Sequence, residues 1–385
     1  MSLPQLIRET FLEKYGAEPL LIRSPGRINL IGEHTDYNEG YVLPAAIDKY
    51  IYLAFARNSG ESCRVYSRDF EQEQTFMLRD MRPGTGWINF VMGVAAQLAK
   101  AGYVLDGFDC VFGGDIPIGA GLSSSAALEN GVGMGLSTLF ELNVDRLDLV
   151  KYSQQAEHEF AGVKCGIMDM FASMMGKEQQ AIRLDCRSLD YAYFPVDLGD
   201  HQWLLCDSRV SHSLADSAYN ERREECRQGV TLLQAHYPQV SSLRDVNYAQ
   251  LSLVKDQLPD TVFQRCSFVI QENERVIQSC EALERKDLDR LGAYLYRSHE
   301  GLSRDYEVSC PELDFLVEFT RELPEVMGSR MMGGGFGGCT LNLVKKSARQ
   351  AFIDKISTAY DKRFGIHLKA YEVNAVDGTE LYFQQ

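Results

Sequence analysis

The chain has 385 residues, of which 45% are hydrophobic, 24% charged and 10% aromatic; that length suggests roughly two to three domains, and so many apolar residues exclude an extended disordered chain. The formal net charge is −15, which argues against nucleic acid or acidic membrane surfaces as generic partners. Any phosphate site must therefore be local, built from backbone N–H groups, a metal ion or a few placed cations.

In chain order, residues 3–15 read as an amphipathic helix, with Leu3, Leu6, Ile7, Phe11 and Leu12 at helical spacing. They lack the basic start and apolar core of a secretory leader, and no apolar run reaches the ~18 residues of a membrane span. Residues 51–56 and 64–67 carry the β-branched and aromatic bias of strands, and 87–101 resume a helical pattern with Phe90, Val91, Val94 and Leu98 on one side. A strand at 108–112 feeds a Gly/Pro-rich turn and a small-residue helix from about Ser124. Helices are expected at 145–160 and 166–176, and strands at 181–185 and 203–207. Residues 215–330 read as mostly helical, with a helix pair near 264–308, before a glycine-dense loop at 333–338 and a strand at 340–344. The ten cysteines form no C-x-x-C pair and sit singly in regular segments, as reduced cysteines of a cytoplasmic protein do.

Four segments carry chemistry. In Gly113–Ala127 a strand runs into glycines two apart, three serines and a helix with a small first turn. Such a loop lets N–H groups converge on an anion at a helix N-terminus. No G-K-[ST] follows, so it is not a Walker loop, and a serine cap after a glycine turn has the same spelling. In Met332–Cys339 there are five glycines in six positions, costly in chain entropy unless the backbone must pass close to something. Residues 24–37 gather Arg27, Asn29, Glu33, His34, Asp36 and Tyr37 around Leu30 and Ile31, a set suited to directional hydrogen bonds with sugar hydroxyls. Metal binding there would want a second histidine at ligand spacing, and none is present. In Glu157–Phe171, Asp169 stands among apolar neighbours, as a helix cap or as a working carboxylate.

These segments, in this order, resemble the galactokinases of the GHMP small-molecule kinase superfamily. Gly26–Pro44 is similar to the galactokinase signature, Pro117–Leu128 to the superfamily's ATP loop and residues 330–339 to its third motif. Cys165–Asp169 and Asp305–Leu313 are also similar to galactokinase sequence, so the resemblance spans essentially the whole chain. It implies an α+β, two-domain GHMP kinase fold. An N-terminal ribosomal-protein-S5-like β/α domain (1–195) would carry the sugar signature and phosphate loop. A C-terminal ferredoxin-like α+β domain (196–385) would carry the glycine motif, with the active site between the two.

The implied reaction is transfer of the ATP γ-phosphoryl group to the 1-hydroxyl of α-D-galactose, with Mg²⁺, in galactose catabolism. By the same resemblance Asp169 and Arg27 are catalytic, and Glu33, His34, Thr35, Asp36, Gly166 and Tyr219 bind the sugar. Gly119, Ala120, Gly121, Leu122, Ser123, Ser124 and Ser125 hold ATP phosphates, Ser67 touches the nucleotide, and Ser125 and Glu157 take Mg²⁺. Galactose and ATP are the expected partners of a cytoplasmic monomer, with no nucleic acid and no membrane. Three positions depart from the family pattern: Met170 replaces glutamine, Met332 threonine and Ala218 glutamate. Each swap removes hydrogen-bonding capacity expected near the site. They motivate two alternatives, a galactose- and ATP-binding sensor without turnover and a kinase of another sugar such as N-acetylgalactosamine.

Overall fold

The computed structural model describes residues 1–58, 60–117, 119–211 and 215–383; Ile118 of the phosphate-loop motif lies outside them. The strands are β1 (Leu20–Asn29), β2 (Tyr41–Val42), β3 (Pro44–Arg57), β4 (Ser62–Ser67), β5 (Gln72–Met77), β6 (Phe108–Gly114), β7 (Gln180–Asp185), β8 (Tyr191–Pro195), β9 (His201–Ser211), β10 (Val326–Met331), β11 (Gly337–Lys345), β12 (Lys369–Val373) and β13 (Glu380–Leu381). The helices are α1 (Leu3–Tyr15), α2 (Ile88–Lys100), α3 (Ser124–Leu139), α4 (Arg146–Ala156), α5 (Met168–Met175), α6 (Ala215–Gln234), α7 (Tyr248–Leu253), α8 (Asp260–Glu284), α9 (Leu288–Arg304), α10 (Pro311–Thr320) and α11 (Arg349–Phe364). The strands form sheets ordered β13-β1-β3-β6-β4-β5, β10-β11-β9-β12 and β2-β7-β8. Among the described residues only the β4–β6 pairing is parallel.

The first sheet is covered on both faces. On one, Ile7 and Phe11 of α1, four residues apart, pack on Leu21, Ala54 and Val111. On the other lies α3, whose small residues permit a close approach. A Cβ on Gly131 would sit 2.4 Å from Leu53 Cδ1, and one on Gly135 2.3 Å from the Phe55 ring. The small-residue text that marked this helix in the sequence thus has a packing cause.

The second sheet alternates its apolar residues at the period of a strand. Leu204 and Cys206 of β9 meet Phe352, Ile356 and Tyr360 of α11, whereas Trp203 and Leu205 join the large core that extends into the first half of the chain. Continuity of that core ties the two halves together.

Most predicted elements are present, several of them longer than expected: β3 begins at Pro44 rather than 51, β9 runs on to Ser211 rather than 207, and the helix pair near 264–308 starts at Asp260 and ends at Arg304. The helix expected at 145–160 instead ends at Ala156 and continues as a π-helical turn over Glu157–Ala161. The chain's last strand also returns to the first sheet, pairing Ile22 with Leu381 and Arg23 with Glu380. All ten cysteines are free thiols. Among the described residues no helix is long and apolar enough to cross a membrane.

Candidate active site

The segment after β1 makes an abrupt turn to which its own residues contribute several of the bonds. Gly32 has φ +101°, and a Cβ there would lie 2.8 Å from both the Tyr41 carbonyl and Val276 Cγ2. His34 also adopts a positive φ, of 62°. Thr35 Oγ1 lies 2.8 and 2.6 Å from the carbonyl oxygens of Gly32 and Tyr41, and the Asn38 side-chain amide donates to the His34 carbonyl at 2.8 Å. The turn places Glu33, His34 and Asp36 on the wall of a cavity of about 410 Å³. Thr35 is fully buried behind them, its hydroxyl engaged with backbone rather than lining the space.

Arg27, Glu157, Gly166, Asp169, Tyr219 and Gly333–Gly335 are among the other residues of the wall. Asp169 sits in the first turn of α5. Its Oδ1 accepts from Arg27 Nε at 2.7 Å and its Oδ2 from Arg27 Nη2 at 2.8 Å. This is the two-pronged pairing that suits a guanidinium to a carboxylate. Asp169 is therefore an ion-paired wall residue rather than a cap. The Ser123 hydroxyl donates to the same Oδ2. Arg27 is nearly buried, and Asp169 keeps 27% of its side chain exposed toward the cavity.

The remaining wall groups are electrostatically unusual. Burial, together with the nearby Asp169 and Glu33 carboxylates, pushes Asp36 up to about 7. Burial pushes His34 down to about 3, so its imidazole is neutral, with Nδ1 2.8 Å from the Tyr37 hydroxyl. Gly166 is required by contact, since a Cβ there would lie 1.7 Å from Asp36 Oδ2. The Tyr219 ring stands 5.4 Å from that of His34.

The phosphate-loop candidates divide in two. Ala120 and Leu122 are buried anchors. Gly119 (φ +78°) and Gly121 (φ +73°) face open space, with nothing within 4 Å of a Cβ at either. Ser123, at φ +58°, precedes α3, in whose first turn Ser124 and Ser125 stand. Arg27 Nη1 donates to the Gly121 carbonyl at 2.6 Å, joining the loop to the cavity wall. The glycine motif lies against the same loop: Cβ atoms on Gly333 and Gly338 would be 3.9 Å from Gly121 O and 3.7 Å from Ala120 O. Ser125 Oγ is 3.1 Å from Glu157 Oε1, and burial pushes Glu157 up to about 7, helped by the Asp169 charge. Ser67 stands apart from the cavity, fully buried in β4 with no partner for its hydroxyl among the described residues.

Two of the three departures from the family pattern lie in the core rather than on the cavity wall. Met170 and Met332 are core side chains, 0% and 1% exposed, and neither lines the cavity. Their substitution takes no hydrogen bond from the cavity wall. Ala218 is half-buried in α6, one residue before Tyr219.

Several residues acting on the site were not singled out from sequence. Arg330 of β10 is fully buried and donates through Nη2 to Glu33 Oε1, which also accepts from the Gly333 N–H at 2.8 Å. Glu272 of α8 accepts from the Gly32 N–H at 3.0 Å. Burial opposes its charge, but Arg275 and Arg330 outweigh that and hold its carboxyl below the usual range. Asn273 Oδ1 accepts from the Tyr41 N–H at 2.7 Å. Charged residues inside an apolar strand or on the buried face of a helix are the signal that would have found Arg330 and Glu272.

The chain matches three family profiles: the galactokinase galactose-binding signature over residues 9–57, the GHMP kinases N terminal domain over 89–177 and the GHMP kinases C terminal over 280–362. It is 40% identical to a galactokinase of Roseiflexus sp. over 374 residues, covering 97% of this chain and 95% of that one. It is 40% identical to a Thermotoga maritima galactokinase, covering 93% and 99%. A crystal structure of Lactococcus lactis galactokinase complexed with galactose superposes with a TM-score of 0.96 at 35% identity, over 99% and 100% of the two chains. The mevalonate kinase of Methanococcus jannaschii shares the fold at 16% identity, with a TM-score of 0.67 over 94% and 100%. The galactokinase signature coincides with the turn that walls the cavity, and the likeness runs nearly end to end: the chain belongs to the galactokinase family of the GHMP kinases.

Proposed function

We propose that this protein transfers the γ-phosphoryl group of ATP to the 1-hydroxyl of α-D-galactose, giving galactose 1-phosphate and ADP. One observation carries the reading. A single guanidinium, Arg27, pairs with Asp169 on the cavity wall and with the Gly121 carbonyl of the phosphate loop. Acceptor and donor sides of a phosphoryl transfer thus meet at one residue. Sugar hydroxyls are held by Glu33, His34, Asp36 and Tyr219, and Gly166 makes room for Asp36. Backbone N–H groups of 119–125 at the start of α3 receive the phosphates.

Asp169, held by Arg27 and Ser123, orients the 1-hydroxyl and accepts its proton. Arg27 offsets charge on the transferring group, so most of the catalysis is positioning and electrostatics. Ser125 and Glu157 present a hydroxyl and a carboxylate side by side. That donor pair fits Mg²⁺, which takes one or two protein oxygens and completes its shell with phosphates and water. Bound there, the ion would neutralise phosphate charge and relieve the burial cost on Glu157. Among the described residues no cluster of three or more His, Cys, Asp or Glu is placed for a metal held by protein alone.

We further read the chain as two domains divided near residues 195–200, and as a cytoplasmic monomer, in keeping with its free thiols. The core positions of Met170 and Met332 remove much of the motive for a sensor without turnover. The test is a coupled ADP assay with ATP and Mg²⁺ across galactose, glucose, talose, galactosamine and N-acetylgalactosamine. Galactose is expected to give the highest kcat/KM; no galactose-dependent ADP from folded protein would refute the reading.

A further inference from the structure

We propose that Arg330 is a positioning residue that sets the sugar selectivity of this site, by holding Glu33 so that one carboxylate oxygen alone faces the sugar. The inference rests on the reading of the cavity as the galactose pocket.

Arg330 does not line the cavity and acts through its neighbours. Its side chain is 0% exposed and that of Glu33 3%, so neither group has bulk water to turn to. Arg330 Nε donates to the Met331 carbonyl at 2.9 Å, which fixes the plane of the guanidinium. From that plane Nη2 donates to Glu33 Oε1, and the Gly333 N–H donates to the same oxygen at 2.8 Å. Oε1 is thereby committed to protein. Oε2 has no protein partner among the described residues and is the oxygen left to the cavity that Glu33 lines.

The backbone beside it is clamped as well. Glu272 Oε1 accepts from the Gly32 N–H at 3.0 Å and from the Ser298 hydroxyl at 2.6 Å. Side chain and main chain of residues 32–33 are therefore both held by elements from the second half of the chain. A carboxylate free to rotate would accept from hydroxyls at several ring positions. One with a fixed orientation accepts from a hydroxyl at one position, and leaves a buried acceptor unpaired when that hydroxyl is missing.

Lysine at 330 would keep the buried positive charge, but a single ammonium cannot reproduce the rigid fork that serves Met331 and Glu33 together. The experiment measures kcat and KM for galactose and for its 2-, 3-, 4- and 6-deoxy analogues, with KM for ATP and a melting temperature, in the unaltered protein and in Arg330→Lys. In the unaltered protein one deoxy analogue should be penalised through Glu33. In Arg330→Lys the KM for galactose should rise about tenfold or more, with kcat changed by no more than about threefold, as loss of uniform binding requires. The penalty on that one analogue should shrink by a similar factor, while the other analogues and ATP keep theirs.

A deoxy profile identical to that of the unaltered protein overturns the proposal, whether or not the melting temperature falls. Should Arg330→Lys not fold, Glu33→Gln serves. Its amide oxygen can still accept from Arg330 and Gly333 while an NH₂ group faces the cavity, so the hydroxyl that donated to Oε2 must accept instead, and the penalty on that one analogue alone should change; penalties altered at several positions, or at none, overturn the proposal equally. Inactivity of the unaltered protein on galactose would instead overturn the reading of the pocket itself, a result seen before any variant is made.

Discussion

Asp36 shows how single residues are tuned here. Burial and two neighbouring carboxylates raise it to about 7, so near neutral pH it is partly protonated before sugar arrives. Hydrogen bonds donated by sugar hydroxyls favour the charged form and lower that value, so galactose binding should release a proton. Calorimetry at pH 7 in buffers of different ionisation enthalpy should show a buffer-dependent binding heat that Asp36→Asn lacks; buffer-independent heats in the unaltered protein would disprove this. Met170 offers a second test, because the family's usual glutamine would place an amide in a fully buried core position. Met170→Gln should lower stability by about 1–3 kcal/mol in a denaturant titration without raising kcat. The sequence showed Arg27, Asp169 and the 33–36 cluster as chemistry-bearing types, since polar residues crowd there beside glycines. It could not show that Met170 points inward, because one residue in a short helix gives no face, nor that Thr35 turns its hydroxyl to backbone.

At the scale of elements, α3 sets how closely the phosphate loop approaches the sheet. Alanine at Gly135 gains about 1 kcal/mol of helix propensity, but its Cβ would lie 2.3 Å from the Phe55 ring. Overpacking of that kind costs about 1–3 kcal/mol, so Gly135→Ala should be net destabilising. A raised denaturation midpoint would show that the ring moves aside freely. The π-helical turn at Glu157–Ala161 is the element least legible in the sequence. An apolar period over a dozen residues cannot tell one extra residue in a turn from its absence. Yet Glu157 stands at the start of that turn, beside Ser125. The glycine motif was legible because several close approaches coincide, one being Gly335, whose Cβ would lie 2.1 Å from the Val308 carbonyl.

Across the whole molecule, distant segments finish each other's structures. The last strand seals the first sheet, and Thr379 is buried between Ser24, whose hydroxyl lies 2.8 Å from its own, and Ser173, to whose carbonyl it donates at 3.1 Å. Thr379→Val, equal in shape, should cost about 1–3 kcal/mol and leave the KM for galactose unchanged, since no cavity residue is touched. A two-residue strand paired with a partner more than 350 positions away has no period to read, so this closure was invisible in sequence. The overall architecture was legible through the family resemblance that the motifs carry, and in the fold the glycine motif does lie against the 119–121 loop. In the proposed reaction Asp169 is the group that handles the sugar's proton. Galactose-dependent ADP release by Asp169→Ala, set beside the unaltered protein, tests it most directly. We predict a loss of about 10³-fold or more in turnover in a folded variant that still binds galactose; turnover within about tenfold of the unaltered protein would contradict it.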